Sequence, residues 1–500
     1  MQFRGKCGAA LLAATAICIL PAAAFAADKP ATPEGASALG AVFAKYFGKA
    51  ATSPPNFTVA AASDHYDVAF DYGAALSALT AMMPSQATYA PAIVKLHLTE
   101  QDDGAWRIAM DGVPKMSSHL SNGPVVMDSN FEYVGFSQEM VFDPATASIR
   151  SGHAAADAIK MKIAGTGFDE TMATGPLIVD QASKVSEGEV SLAGKGSVAA
   201  MNFALAVRPD EVKAAGGGSA KDANPVNVTG KSDKADVDVA VDGLKTRQGL
   251  DLWAFAVAHP TRAELAANEP AFKALLTAFL SNDFKLAENG ALQKIAVTAP
   301  QGVFGLDSAK IGVKIGVSAQ DNFEEHFAGE GFTLPPGLVP PMFADLTPKS
   351  FDFGVKVSGF DAAGAAQEAI AAMHLAGDGP PISDADGKKI LAKGMAAGGV
   401  VVDLPPSHIL AAKLDVSYDG QIKFDGSKRS GKVNVHVRNF DQTVEALKAL
   451  GQMVPPNAMA GLAMAKGLAK KDGDALTWVA EMTADGSISV NGLPLGKAPM

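Results

Sequence analysis

Apolar and polar residues alternate with a period of two over much of this chain. Val94, Leu96 and Leu98 alternate with polar neighbours, and the same pattern extends through residues 311–317 and 351–357. Such alternation is typical of antiparallel strands with one buried and one wet face, whereas buried parallel strands give continuous apolar runs. The pattern predicts a β-rich α+β fold with long, twisted antiparallel sheets and hairpins.

Three Asp-Gly sequences lie between alternating segments and predict hairpins. A three-residue loop ending in a left-handed glycine is a common hairpin connection. A loop of this length keeps the apolar residues of both strands on one face of the hairpin. A shift of the strand register by one residue would place them on opposite faces. The predicted cross-strand pairs are Leu98 with Ile108 around loop 102–104, Val416 with Ile422 around loop 418–420, and Met482 with Ile488 around loop 484–486.

Helical spacing is rarer and lies mostly in the second half of the chain. It predicts a short N-terminal helix with Leu39, Val42, Phe43 and Phe47 on one face, and a helix that Pro270 opens. Two more helices are expected, one after Asn439 that ends at Gly451 and one over residues 458–469. We expect the few helices to cover the apolar face of the sheet.

The first 26 residues have the pattern of a secretory signal peptide. Arg4 and Lys6 precede an apolar run over residues 9–20, and Ala24 and Ala26 supply the small residues that a signal peptidase requires. We therefore expect an exported, periplasmic protein without a transmembrane segment in its mature chain. Both cysteines of the sequence lie within the leader, so disulfides and thiol catalysis are not expected after cleavage.

Composition changes divide the mature chain into two regions, a β-rich region over residues 27–245 and an α+β region over residues 246–500, with one continuous domain as the alternative. The glycine-rich stretch 214–225 predicts a flexible surface loop. The proline-rich stretch 333–348 predicts a connection laid across the sheet. The alternative for this stretch is a lid or groove over an apolar cavity, formed by Leu338, Val339, Met342 and Phe343.

Charge and motifs exclude several classes of function. The formal net charge is −11 and there is no basic tract, so nucleic acid is not an expected partner. No phosphate-loop, dinucleotide or Gly-x-Ser-x-Gly motif is complete, and the nine histidines never fall at the spacing of a helical zinc pair. The sequence therefore predicts no catalytic residue, no cofactor and no metal site.

Two polar clusters are interpreted as solvated faces, because an acidic chain of this size contains such clusters by chance. The denser cluster, near residues 321–326, is the least weak candidate for an enzyme. The clusters are Asp321, Glu324, Glu325 and His326, and Asp64, His65, Asp67 and Asp71.

The C-terminal residues resemble a known family. Leu476 to Gly486, followed by Val490-Asn491-Gly492-Leu493-Pro494-Leu495, is similar to the ending of an exported alphaproteobacterial family of uncharacterised proteins, domain of unknown function 2125. The resemblance implies a signal peptide followed by glycine-rich β sequence over nearly the whole chain. The family has no established activity, so no site residue is implied.

Two classes of function remain after these exclusions. The first is a non-enzymatic envelope protein with a binding or structural role, whose apolar sheet face holds a lipid-like ligand or an envelope protein, or is fully covered as a scaffold. The second is a periplasmic hydrolase or cation-dependent enzyme, with a site assembled from residues distant in sequence.

Overall fold

The computed structural model describes residues 30–49, 52–80, 86–122, 125–208, 226–280, 284–318, 322–377, 379–395, 399–426, 428–448 and 456–497. The predicted signal peptide with Ala24 and Ala26, both cysteines and the glycine-rich loop 214–225 lie outside these residues. Those expectations stay predictions.

The described residues form 25 strands, and all of them belong to one antiparallel sheet. The first fourteen strands are β1 (Phe57–Ala61), β2 (Tyr66–Asp71), β3 (Gln86–Tyr89), β4 (Ile93–Glu100), β5 (Trp106–Asp111), β6 (Met116–Asn122), β7 (Val125–Val134), β8 (Ser137–Asp143), β9 (Ser148–Ala156), β10 (Ala158–Gly165), β11 (Phe168–Thr174), β12 (Leu177–Ser186), β13 (Glu189–Val207) and β14 (Val226–Leu244). The others are β15 (Lys285–Ala299), β16 (Gly302–Gly316), β17 (Phe323–Glu330), β18 (Ser350–Ser358), β19 (Val400–Leu410), β20 (Asp415–Asp425), β21 (Lys428–Arg438), β22 (Lys470–Asp472), β23 (Ala475–Met482), β24 (Ser487–Val490) and β25 (Leu493–Lys497).

Nine α-helices occur in the described part of the chain, seven of them after residue 245. None of these helices is long and apolar enough to cross a membrane. They are α1 (Pro33–Phe47), α2 (Tyr72–Thr80), α3 (Thr246–Ala258), α4 (Arg262–Ala267), α5 (Glu269–Phe279), α6 (Ala362–Ala372), α7 (Asp384–Gly394), α8 (Phe440–Lys448) and α9 (Pro456–Leu468). A 3-10 helix spans Pro341–Leu346.

Strands that follow one another along the chain are mostly neighbours in the sheet. From β12 to β21 each strand pairs with the next. At β13 the sheet divides, because β13 also pairs with β11, and a branch runs from there through β10, β7 and β6 to β3. The other branch runs from β12 through β9, β8, β5, β4 and β2 to β1. The fold class predicted from alternation is therefore confirmed.

One face of this sheet carries the apolar side chains, and we call it the apolar face. Directly paired residues of adjacent strands share a face. Successive pairs join Val179, through Gly196, to Val237, and through Gly290 to Ile311, Phe327 and Phe353. The register through β9 and β8 brings Ile108 onto this same face.

Helix α1 covers the apolar face at the N-terminal end of the sheet. Thr32 caps the helix by accepting a hydrogen bond from the backbone NH of Gly35, and Pro33 occupies its first turn. Leu39 and Phe43 are buried against the strands, where the protein has its main core. The buried residues of this core are Ala36, Leu39, Phe43, Phe57, Tyr66, Val68, Phe70, Val94, Leu96, Leu98, Trp106, Ile108, Met110, Met140 and Phe142.

Two of the three predicted hairpins are confirmed. Leu98 pairs with Ile108 and Met482 pairs with Ile488. At the first turn, Gly104 has a φ of 81°, and the NH of Gln101 donates to the carbonyl of Ala105 at 2.8 Å. That left-handed glycine is the conformation on which the prediction relied.

The hairpin predicted around residues 418–420 is wrong. These residues lie inside the continuous strand β20, where Val416 pairs with Ile409 on one side and Val437 on the other. Val416 and Ile422 share a face in this strand as they would in the hairpin, so the apolar pattern fits both structures.

The sheet continues through the position of the predicted domain division. β14 ends at Leu244, and three helices separate it from β15 in the sequence. The two strands nevertheless pair with each other, beginning with Asp242 opposite Lys285. The division into two regions stays a prediction.

Candidate functional site

The candidate site is the part of the apolar face that lies on β12 to β21, which we call the open face. Its large side chains retain much of their exposure, since Ile311 is 47% exposed and Phe327 is 42% exposed. The core position Ile108 on the same face is 2% exposed. The exposed large apolar residues of the open face include Val185, Val237, Ile311, Ile315, Phe327 and Phe424.

Aromatic rings form a cluster in the middle of the open face. The ring centroids of Phe327 and Phe351 are 5.2 Å apart, and those of Phe351 and Phe353 are 5.7 Å apart. Tyr418, two strands away, stacks on Phe353 at 6.5 Å. These separations lie in the range of favourable ring contacts. The cluster therefore forms a continuous aromatic surface across β17 to β20.

The opposite face of the same strands is polar, and its charges are paired across strands. Lys314 contacts Glu324 at 2.8 Å, and His326 contacts Asp352 at 2.7 Å. Further along, Arg438 contacts Asp415 at 3.2 Å. Two faces of unlike chemistry result, as the alternation in the sequence predicts.

The acidic cluster considered from sequence is divided between these two faces. Glu324 and His326 lie on the polar face, each in a pair with a residue of a neighbouring strand. Glu325 lies between them in sequence and therefore points to the open face. Asp321 is outside the described residues. The described members of this cluster therefore do not converge on one face.

Two carboxylates interrupt the open face. Glu288 of β15 and Glu325 of β17 both pair with Val313 of β16, one from each side, and both are exposed. Neighbouring positions on this face, Ile311 and Ile315, are apolar. An extended apolar surface thus has a small acidic area near its middle.

The proline-rich segment borders an open apolar depression of about 430 Å³. Leu338 and Val339 line it together with Leu334 and Leu346. Met342 and Phe343 lie in the 3-10 helix, and their side chains are outside the described part of the structure. A bridge between Thr333 and Gly305 places the start of the segment beside β16. Whether this segment acts as a lid stays a prediction.

In the described residues the chain forms one long, open antiparallel sheet whose apolar face is buried at its N-terminal end and exposed at several positions of β12 to β21. The sequence model of a family described as "Uncharacterized protein conserved in bacteria (DUF2125)" matches residues 339–499. This match covers β18 to β25, about the last third of the chain, whereas the resemblance seen in the sequence implied nearly all of it. No curated protein and no solved structure matches the chain.

Proposed function

We propose that the open face binds the acyl chains of a lipid or a lipid-like amphiphile, and that the protein performs this role in the cell envelope without catalysis. The observation that carries the proposal is the exposure of Ile311, Ile315 and Phe327 on a face whose N-terminal continuation is fully buried. Large exposed apolar patches mark sites of interaction.

The chemistry of the open face favours hydrocarbon as the ligand. Protein interfaces carry about one hydrogen bond per 100–200 Å² and concentrate binding energy in Trp, Tyr and Arg. The exposed large residues of the open face are Val, Ile and Phe, which offer no side-chain hydrogen bonds. Each buried methylene of an acyl chain would contribute about 0.8 kcal/mol without needing a polar partner.

The dimensions of the face also suit a long apolar ligand. Six strand spacings separate β14, which carries Val237, from β20, which carries Phe424. At about 4.8 Å per spacing this is about 29 Å, enough for an extended acyl chain.

The decisive experiment compares two isoleucines of equal exposure on opposite faces. Ile311 is 47% exposed on the open face, and Ile178 is 46% exposed on the polar face. The protein, purified without detergent, would be titrated with a fluorescent fatty acid. Ile311→Lys should weaken binding about tenfold, because it removes about 1.5 kcal/mol of apolar contact, whereas Ile178→Lys should leave it unchanged.

Equal effects of the two substitutions, or no binding of the fatty acid, would reject the lipid site. Mass spectrometry of the released small molecules gives an independent measurement on protein purified from its own host. A lipid enriched over a control protein supports the proposal, and a co-purifying protein without lipid favours an envelope partner instead.

The proposed location rests on the leader pattern of residues 1–26 and has its own test. Cells that express the full chain would be fractionated and the N-terminus of the product sequenced. A product in the periplasm that starts at Ala27 supports export and cleavage after Ala26. An uncleaved product in the cytoplasm would contradict them.

A further inference from the structure

His97 meets His65 and Asp67, which lie much earlier in the sequence, at the β2–β4 pair on the face opposite the core. Asp67 of β2 pairs directly with His97 of β4, and His65 lies two positions before Asp67, directly before the first residue of β2. One ligand atom of each side chain lies within 4.8 Å of the others. The antiparallel register thus creates a cluster that the sequence spacing of the histidines does not reveal.

The contacts within this cluster converge on one carboxylate oxygen. Oδ1 of Asp67 is 2.8 Å from Nδ1 of His97 and 3.3 Å from Nε2 of His65. A tetrahedral zinc ion, with bonds of about 2.0–2.2 Å, holds its ligand atoms about 3.3 Å apart. Small side-chain rotations would therefore place the three atoms around such an ion.

Asp64 supplies the supporting contact that metal-binding histidines usually have. Its Oδ1 lies 2.8 Å from Nδ1 of His65, so Nδ1 carries the proton and Nε2 faces Asp67. A carboxylate on the far nitrogen fixes the ring orientation and increases the basicity of the ligand nitrogen.

From this geometry we propose that His65, Asp67 and His97 bind a divalent transition-metal ion of the zinc type, with at least one coordination position open to water. Two imidazoles and one carboxylate are the ligands that zinc accepts, whereas calcium and magnesium prefer oxygen alone. Side-chain exposures of 29% for His65, 53% for Asp67 and 43% for His97 leave room for the ion and its water.

Other histidines of the described surface provide matched controls. His153 contacts Asp180 at 2.7 Å across two strands, as His119 contacts Asp128. Each of these pairs contains a single imidazole. The proposed site differs from them because it combines two imidazoles, those of His65 and His97, with one carboxylate. His153→Ala therefore removes a surface histidine and its carboxylate contact without touching the proposed site.

The test is calorimetric titration of the full chain, free of any histidine tag, with zinc and separately with calcium. We expect one zinc site and no calcium site. His97→Ala and His65→Ala should each abolish the zinc site, Asp64→Asn should weaken it about 10- to 100-fold, and His153→Ala should leave it unchanged. X-ray absorption should report two imidazoles and an oxygen ligand.

Three results would overturn the proposal: no zinc binding by the wild-type chain, calcium binding in place of zinc, or an equal loss in His153→Ala and His97→Ala. Melting temperatures measured without metal separate lost ligands from lost folding. The fatty-acid titration of His97→Ala should match wild type, because the open face lies on the other side of the sheet.

Discussion

The ring of Phe351 lies over the backbone of Gly329, its directly paired neighbour in the adjacent strand. A β-carbon built on Gly329 would be 2.4 Å from Cζ of Phe351. Glycine at this position therefore lets the ring lie flat between Phe327 and Phe353, and the aromatic surface of the open face depends on it.

Gly329→Ala should displace the Phe351 ring and destabilise the protein by about 1–3 kcal/mol, the usual cost of an overpacked site. We expect the lower end, because the ring can swing toward the exposed side of the sheet. Urea unfolding measures the change. Gly194→Ala is the control, since its β-carbon would meet no atom closer than 3.7 Å. Equal stability of both variants would show that the ring moves at no cost.

Two isoleucines on the apolar face should contribute differently to stability, because α1 covers one end of this face and not the open face. Ile108 lies in the core at 2% exposure, and Ile311 lies on the open face at 47%. Ile108→Ala should lower the free energy of unfolding by about 2–5 kcal/mol, and Ile311→Ala by about 0.5 kcal/mol. Denaturant titrations of both variants provide the comparison. A large loss at Ile311 would mean that another part of the chain covers the open face in solution.

Adjacent glutamates should affect ligand binding differently because they point to opposite faces. Glu325→Leu replaces a carboxylate of the open face with an apolar side chain, so the affinity for a fluorescent fatty acid should rise about tenfold. Glu324→Leu changes the polar face, where Glu324 contacts Lys314, and should leave the affinity unchanged. Binding isotherms for the two variants decide the matter, and an increase in Glu324→Leu alone would contradict the assignment of faces.

The C-terminal hairpin should lose stability in acid. The carboxylate of Asp485 accepts hydrogen bonds from the hydroxyls of Thr483 at 2.6 Å and Ser487 at 2.8 Å, which lowers its pKa far below the ordinary value. Because the folded pKa is depressed, this stabilisation is present above the unfolded pKa of about 3.9 and is lost as the pH falls further.

Hydrogen exchange of the peptide around residues 479–491 can follow this loss. Asp485→Asn should exchange faster than wild type at pH 7, and the difference should shrink below about pH 4. Thr483→Val removes one of the hydrogen-bond donors to Asp485. The pH dependence of exchange in this variant should therefore be weaker than in wild type, as in Asp485→Asn. A difference between Asp485→Asn and wild type that does not change with pH would contradict a role for the charge.

The fold could be predicted from the sequence where the signal was local. Alternation fixed the strands and the two unlike faces, and the helical spacing around Pro270 gave α5. At the Asp-Gly sequences the alternation cannot distinguish a hairpin from a continuous strand. A three-residue loop and an unbroken strand place the same apolar residues on one face. At residues 483–487 the hydroxyls of Thr483 and Ser487 bind Asp485 within the turn. In β20 the carboxylate of Asp419 instead accepts from the side chain of Asn434 in the next strand.

The candidate sites depended on long-range pairing that no local pattern contains. The apolar character of the open face could be predicted from the sequence. Its exposure could not, because exposure depends on which strands α1 packs against. His65 and His97 are separated by a whole strand connection, so only the register of β2 with β4 brings them together. The reverse holds for Glu324, Glu325 and His326, which are adjacent in sequence but lie on alternate faces of a strand.

The order of strands from β12 to β21 has a consequence for the way this protein folds. Each strand pairs with the strand that precedes it in the chain. Five of these pairings, β12–β13, β15–β16, β16–β17, β19–β20 and β20–β21, close short loops with a low entropic cost. The sheet can therefore grow strand by strand as the chain emerges, much as a repeat array propagates from one unit to the next. In such a process the last strand formed is always an unpaired edge, and the arrival of the following segment protects it from association with another chain.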